Sequence, residues 1–286
     1  MLRSALDRER ERQTRSNENS RGSQQRFAGH RERFTRAILE RCTPQRGDRL
    51  CVLGAGNCND LELSELGEQY AELHLVDLDE QALVHARDRQ PRTLRERLVL
   101  HPNLDLSQLL GGLDGLRALE WEPEQFLRHP ERAAASIAAK VGAHFQSVVS
   151  ACVLSQLQLG LRTELSDAHP LLTAASYTLD LAHLHTLAAL AAPGGRALLV
   201  SDVADERLAP LEQAEPDDDL LQLLAGLALR GELFTAVSPV LLSQLCMDDP
   251  VLSSALSLQP LRDVWLWRLT EQRSYLVYAL LLERAA

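Results

Sequence analysis

The stretch Arg49-Leu50-Cys51-Val52-Leu53-Gly54-Ala55-Gly56-Asn57-Cys58-Asn59-Asp60, followed by Leu73-His74-Leu75-Val76-Asp77-Leu78-Asp79, confines this chain to few folds. It reads as a buried strand, a glycine turn, a helix and a second strand ending in a carboxylate. Gly54 and Gly56 permit a tight turn that brings backbone close to a ligand. The helix that follows offers unpaired N–H groups at its positive end. Asp77 stands 21 residues after Gly56, near the roughly 20 expected of an acid that meets ribose hydroxyls in a nucleoside-binding βαβ unit. A glycine pair alone also marks a tight turn without a ligand; the acidic strand end is what favours the nucleoside.

Alternation continues beyond this unit. Strands are expected at Leu50–Leu53, Leu73–Asp77, Arg97–Leu100, Phe145–Ser150 and Arg196–Asp202. The pattern of strands separated by helical segments argues for a parallel sheet covered on both faces. Phe27–Cys42 places Phe27, Phe34, Ala37, Ile38 and Leu39 near one helical face and predicts a covering helix, ended by Pro44 and Gly47. Ala133–Val141 reads as helix, and Leu154–Leu190 as two helices divided near Pro170. Pro193-Gly194-Gly195 is a turn that launches a strand. Asp217-Asp218-Asp219 opens a leucine-rich helix, and Pro239 and Pro250 bracket another. Asp263–Leu269 and Tyr275–Leu282, separated by Thr270-Glu271-Gln272-Arg273, suit a β-hairpin.

Composition narrows the function. With 286 residues, 45% of them hydrophobic, the chain can bury the core of one large domain. The expected organisation is a polar, flexible N-terminal arm over residues 1–26 and a single domain over residues 27–286, including the covering helix and helical insertions. A formal charge of −10 disfavours broad phosphate neutralisation, so no nucleic-acid partner is expected. Neither an apolar leader nor a membrane-spanning run is read from the sequence, and the expectation is a cytoplasmic protein without a membrane partner. Cys42, Cys51, Cys58, Cys152 and Cys246 are scattered without zinc spacing, which indicates neither a disulfide framework nor a metal site. Oligomeric state is not legible.

Together, Val52–Asn57, Val76–Asp79, Asn103-Leu104-Asp105, Phe145–Cys152, Ala192–Asp202 and the final hairpin resemble the class I S-adenosylmethionine-dependent methyltransferases. The resemblance runs from about Arg31 to the C-terminus. It implies an α/β, Rossmann-like methyltransferase sheet, mostly parallel with a C-terminal antiparallel β-hairpin and helices on both faces. It implies S-adenosyl-L-methionine as cofactor and S-adenosyl-L-homocysteine as product. Gly54, Ala55, Gly56 and Asn57 would then hold the methionine end, Asp77 the ribose, Leu78 the adenine face and Asp105 the adenine amino group, with Asn103 and Leu104 among the cofactor-binding residues. Ser150, Ala151 and Cys152 would lie beneath the sulfonium, and Arg31 would reach the cofactor carboxylate if its helix folds as a lid. Val52 and Cys58 depart from the acid and third glycine common in the family; Asp60 could supply a missing carboxylate.

Several of these residues carry a second reading. Asp79 suits the N-cap of a helix beginning near Glu80, and Asp105 could cap the Ser107–Leu110 turn. Cys58 and Cys152 suit small packing positions. Trp265 and Trp267 share one face of a strand, as core or sheet cover. Methyl transfer from a sulfonium gains much of its rate from alignment, so a base is optional. If one exists, His183 or His185, with Tyr177 nearby, is the candidate, against a histidine packed on a helix. The segment Ser150-Ala151-Cys152-Val153-Leu154 lacks the Asn/Asp-Pro-Pro-aromatic signature of exocyclic base amine methylation. The expected reaction is methyl transfer to an oxygen or nitrogen of a small molecule or peptide. The alternatives are a catalytically silent methyltransferase-fold binding protein and an aminopropyl or aminocarboxypropyl transferase relative.

Overall fold

In a computed structural model, residues 4–209, 211, 219–270 and 272–286 are described. Arg3 of the expected arm, Asp217 and Asp218 before the leucine-rich helix, and Glu271 in the hairpin loop lie outside them. The chain runs α1 (Ala5–Ser20), α2 (Ala28–Cys42), β1 (Arg49–Leu53), α3 (Leu63–Gln69), β2 (Glu72–Val76), α4 (Glu80–Asp88), α5 (Arg92–Arg95), β3 (Leu98–His101), α6 (Leu113–Arg117), α7 (Pro123–Val141), β4 (Phe145–Ala151), α8 (Val153–Leu165), α9 (Leu172–Leu190) and β5 (Ala191–Asp205). It continues α10 (Leu220–Arg230), α11 (Pro239–Asp248), α12 (Pro250–Ala255), β6 (Leu256–Leu258), β7 (Asp263–Thr270) and β8 (Arg273–Arg284).

One sheet results, ordered β3-β2-β1-β4-β5-β8-β6, with β7 also paired to β8. β1 to β5 are parallel, and β8 runs antiparallel to β5. β6 and β7 both lie along the far edge of β8, β6 against Leu282–Arg284 and β7 against Arg273–Ala279, so together they act as one interrupted edge strand. The hairpin expected at the C-terminus is β7–β8. Pro193-Gly194-Gly195 is a bulge rather than a separate turn: Phe145 pairs with Ala191 and Ser147 with Arg196, so β5 spends extra residues here. Gly194, at φ 71°, supplies the left-handed residue.

The side-chain period of two sorts the strands onto two cores. Cys51, Leu53, Val148, Ala197, Leu199, Tyr278 and Leu280 join α7, α9 and α11 on one face. Leu50, Val52, Leu73, Leu75, Val149, Leu198, Val200 and Val277 join α2, α3 and α4 on the other. A third, smaller cluster of Ala5, Leu109, Leu113, Leu116, Leu161 and Leu165 forms a roof above the sheet's carboxyl edge.

The expected flexible arm is instead largely helix α1. Ser4 caps it, accepting from the Asp7 N–H, while the Asp7 carboxylate accepts from the Ser4 N–H. Arg8 pairs with Glu164, and Arg12 with Glu9. Burying only Ala5 and Glu9 among its residues, α1 is held by polar contacts rather than by an apolar face. Among the described residues no helix is long and apolar enough to cross a membrane, and no group of three His, Cys, Asp or Glu could hold a metal ion.

Candidate active site

β1 leads outward to β2 and β3, and the chain then returns to place β4 on the other side of β1. That reversal opens a crevice at the strands' carboxyl ends, where ligands bind in open α/β sheets. A cavity of about 960 Å³ lies there, bordered by Gly54, Asp77, Cys152 and Asp202 and roofed by α1.

The floor begins with the glycine turn. Gly54, at φ 74°, and Ala55 both donate backbone N–H bonds to the Val76 carbonyl. A Cβ on Gly54 would meet the Val153 Cβ at 2.3 Å. Gly56, at φ 48°, donates its N–H to Asp77 Oδ2 at 2.8 Å, and Asp79 donates its own to Asp77 Oδ1 at 2.9 Å. Asp77 is thus fixed between the two motifs. Burial pushes its carboxyl up to about 6, against the lowering effect of these N–H donors.

The connection after the turn is longer than the sequence suggests. Left-handed Gly56 and Cys58 prevent helix from starting there, and α3 begins only at Leu63. The turn is therefore not a helix N-terminus. Its exposed side is gripped by α1: Asn57 donates to the Asn17 carbonyl at 2.7 Å, Asn59 to the Ser20 carbonyl at 3.0 Å, and Asn17 to Asp79 Oδ2 at 3.0 Å.

Most expected cofactor residues border this cavity: Gly54, Ala55, Gly56, Asn57, Asp60, Asp77, Leu78, Leu104, Asp105 and Cys152. Asp105 also fulfils its second reading, because its carboxylate accepts from the Ser107 N–H and hydroxyl and from the Leu110 N–H. Asp79 caps α4 as expected, accepting from Gln81 and Ala82. The other residues stand back from the cavity. Arg31 donates to the Gln24 and Asn59 carbonyls and lies 3.5 Å from Glu62, so its guanidinium braces the loop. Asn103 bonds Glu80 at the surface. Ser150 and Ala151 are buried in the sheet.

The three candidate catalytic residues also lie off the cavity. His183 is fully buried, its Nε2 2.8 Å from Ser150 Oγ, and burial lowers its pKa to about 4. His185 pairs with Asp249, 3.2 Å away at the start of α12. Tyr177 is exposed on α9. Placing them near one another in sequence did not reveal that α9 packs behind the sheet.

Residues the sequence did not single out complete the cavity. Asp202, within β5, accepts from Ser155 Oγ at 2.5 Å, and burial raises its pKa. Phe27, Trp267 and Tyr275 form an aromatic wall, with ring centroids 5.1 Å apart for Phe27 and Trp267 and 5.3 Å apart for Trp267 and Tyr275. The sequence signal for Trp267 was present, in its shared strand face with Trp265, but which ring is buried and which borders a cavity depends on α2 packing over β7.

No family model matches the chain and no curated protein matches it. Solved structures similar to it include TrmN from Thermus thermophilus, at 14% identity and a TM-score of 0.45, covering 87% of this chain and 48% of that one. The chain therefore spans about half the length of TrmN. Magnesium protoporphyrin IX methyltransferase (ChlM) from Synechocystis PCC 6803, with bound SAH, is 14% identical with a TM-score of 0.43, covering 92% of this chain and 84% of that one. An rRNA methylase from Streptococcus thermophilus is 12% identical with a TM-score of 0.40, covering 88% of this chain and 94% of that one. The fold itself is defined by the strand order, with antiparallel β8 inserted between parallel β5 and the β6/β7 edge. This is the class I methyltransferase fold.

Proposed function

We propose that this protein is an S-adenosyl-L-methionine-dependent methyltransferase, with S-adenosyl-L-homocysteine as product and a small molecule as methyl acceptor. The observation that carries the reading is the Gly56 N–H bond to Asp77 at the edge of the switch-point cavity. It presents a fixed carboxylate beside a glycine turn whose backbone borders the cavity, the combination a nucleoside requires. Gly54, Gly56 and Asn57 would hold the amino-acid end of the cofactor, Asp77 its ribose, and Leu78 and Leu104 its adenine. When bound, the cofactor supplies an electrophilic methyl on a sulfonium. The chain's own part is to bind, orient and exclude water, which α1 does by covering the cavity.

A small acceptor is favoured over rRNA, the substrate named for one similar structure, because α1 closes over the cavity and the chain's formal charge is −10. The test is isothermal titration with S-adenosylmethionine and S-adenosylhomocysteine. Binding of both with one site per chain supports the reading; a folded protein that binds neither at millimolar ligand overturns it.

A further inference from the structure

Asp60 and Asp202 border the same cavity, and neither is ion-paired to a lysine or arginine in the described structure. The arginines around them are engaged elsewhere. Arg31 braces backbone and Glu62, Arg207 pairs with Asp205, and Arg273 lies over the Tyr275 ring at 5.3 Å. Burial is the main force opposing Asp60 ionisation, offset by Arg31 and reinforced by Asp202; together they raise Asp60 to about 7. For Asp202, Ser155 and Arg273 favour the charged form while burial and Asp205 oppose it. Cys152 borders the cavity with them, its thiol pushed up by burial and by both carboxylates.

A second observation concerns Asp60. His30 on α2 is fully buried, and its Nδ1 accepts from Trp265 Nε1–H at 3.0 Å. Because Nδ1 accepts, the neutral ring carries its proton on Nε2. That Nε2 has no hydrogen-bond partner and faces Asp60 Oδ1 at 3.8 Å, itself a buried oxygen without one. Burial holds His30 uncharged, down to about 3, so it cannot neutralise Asp60. His30 also stacks on Trp267, with centroids 4.4 Å apart, fixing the ring that borders the cavity.

We propose that the methyl acceptor is an alkyl amine that enters as its ammonium ion, held by Asp60 and Asp202 against the wall of Phe27, Trp267 and Tyr275. This rests on the methyltransferase reading above. An ammonium supplies the charge the two carboxylates lack, and aromatic rings favour a cation against their faces. An alcohol would leave that charge uncompensated, and an anionic acceptor would be repelled. To react, the ammonium must first release a proton to free its lone pair, and the Asp60 carboxylate takes it. The nitrogen then forms a bond to the methyl carbon as the carbon–sulfur bond breaks, leaving that bond's electron pair on sulfur.

Calorimetry on the protein saturated with S-adenosylhomocysteine tests this, using phenethylamine and hexylamine with phenethyl alcohol and hexanol as uncharged counterparts. The amines should bind at least about tenfold more tightly than the alcohols, and Asp202→Asn and Asp60→Asn should each remove most of that preference. S-adenosylhomocysteine affinity and circular dichroism are measured in parallel. Equal binding of amines and alcohols overturns the proposal while leaving the methyltransferase reading intact. An amine preference unchanged in both variants overturns it too, as does Asp60→Asn weakening the cofactor product instead of the amine. Failure of the folded wild type to bind S-adenosylhomocysteine removes both readings.

Discussion

The Gly56 N–H donates to Asp77 Oδ2 at 2.8 Å, joining the loops that leave the adjacent strands β1 and β2, so the glycine turn and the acidic strand end form one unit. Two motifs separated in sequence are thereby set at hydrogen-bond distance. The carboxylate keeps lone pairs beyond those used by Gly56 and Asp79, since an ionised carboxylate offers about four acceptor sites.

Asp77→Ala should weaken S-adenosylhomocysteine binding by more than about tenfold, because hydrogen bonds to a charged acceptor contribute roughly 1.5–3 kcal/mol. Titration calorimetry reads this directly. Since burial raises Asp77 to about 6, the ionised acceptor predominates above that pH, and wild-type affinity should decline as the pH falls through it. Affinity independent of both the substitution and pH would show that Asp77 does not hold the ligand.

Gly54→Ala should lower stability by about 2 kcal/mol or more, combining a left-handed conformation with a Cβ driven into Val153. The nearest atom is the Val153 Cβ, at 2.3 Å, with Cγ2 at 2.7 Å. Val153→Ala removes only the latter, so the double variant should remain destabilised. Thermal melts of the four proteins decide it, and full rescue by Val153→Ala would show that the clash lies in the valine methyls.

The βαβ unit, the parallel strands and the hairpin were legible because each depends on local chemistry: period-two burial, glycine at positive φ, and turn residues. Leu53, Gly54 and Asp77 carry their roles in their spacing. The helix at residues 5–20 was legible only in part. Its Ser4-Ala5-Leu6-Asp7 start has the form of a capping box, but the helix buries so little apolar surface that composition suggested an arm. Asp202 and Trp267 were illegible for another reason. They border one cavity with Asp60 only when β5, β7 and α2 converge, and no periodicity encodes that convergence. Conversely, His183 and His185 looked chemical by residue type, while α9 carries them behind the sheet.

Helix α1 should gate the cavity. Its Asn17 and Ser20 contacts to Asn57, Asn59 and Asp79 cross the path to the glycine turn, yet the helix has little apolar anchorage. Asn17→Ala removes one side-chain bond to Asp79 and should speed dissociation of S-adenosylhomocysteine several-fold, with a change in melting temperature of about 2 °C or less. Stopped-flow displacement measures the rate. In a parallel experiment, ligand should slow tryptic cleavage after Arg10, Arg12 and Arg15; unchanged cleavage and an unchanged dissociation rate would mean that α1 stays closed irrespective of occupancy.

His183 should prove to be a stability residue rather than a base. His183→Ala deletes a ring packed at the sheet and leaves the Ser150 hydroxyl without its partner, a cost of about 2–4 kcal/mol. The melting temperature should fall by roughly 5 °C or more, while S-adenosylhomocysteine affinity stays at the wild-type value. The pH dependence gives a second reading. Burial lowers His183 from 6.5 to about 4, so between these values the unfolded chain takes up a proton that the folded chain refuses. The stability this contributes is complete above about pH 6.5 and is lost as pH falls through about 4. His183→Ala should therefore lose less stability than wild type across that window, with the residual acid sensitivity coming in part from His30, which burial lowers to about 3. Denaturant titrations at pH 7 and pH 4.5 separate the outcomes. A folded His183→Ala protein with wild-type stability at both pH values but without methyl transfer to an amine would return His183 to the reaction centre.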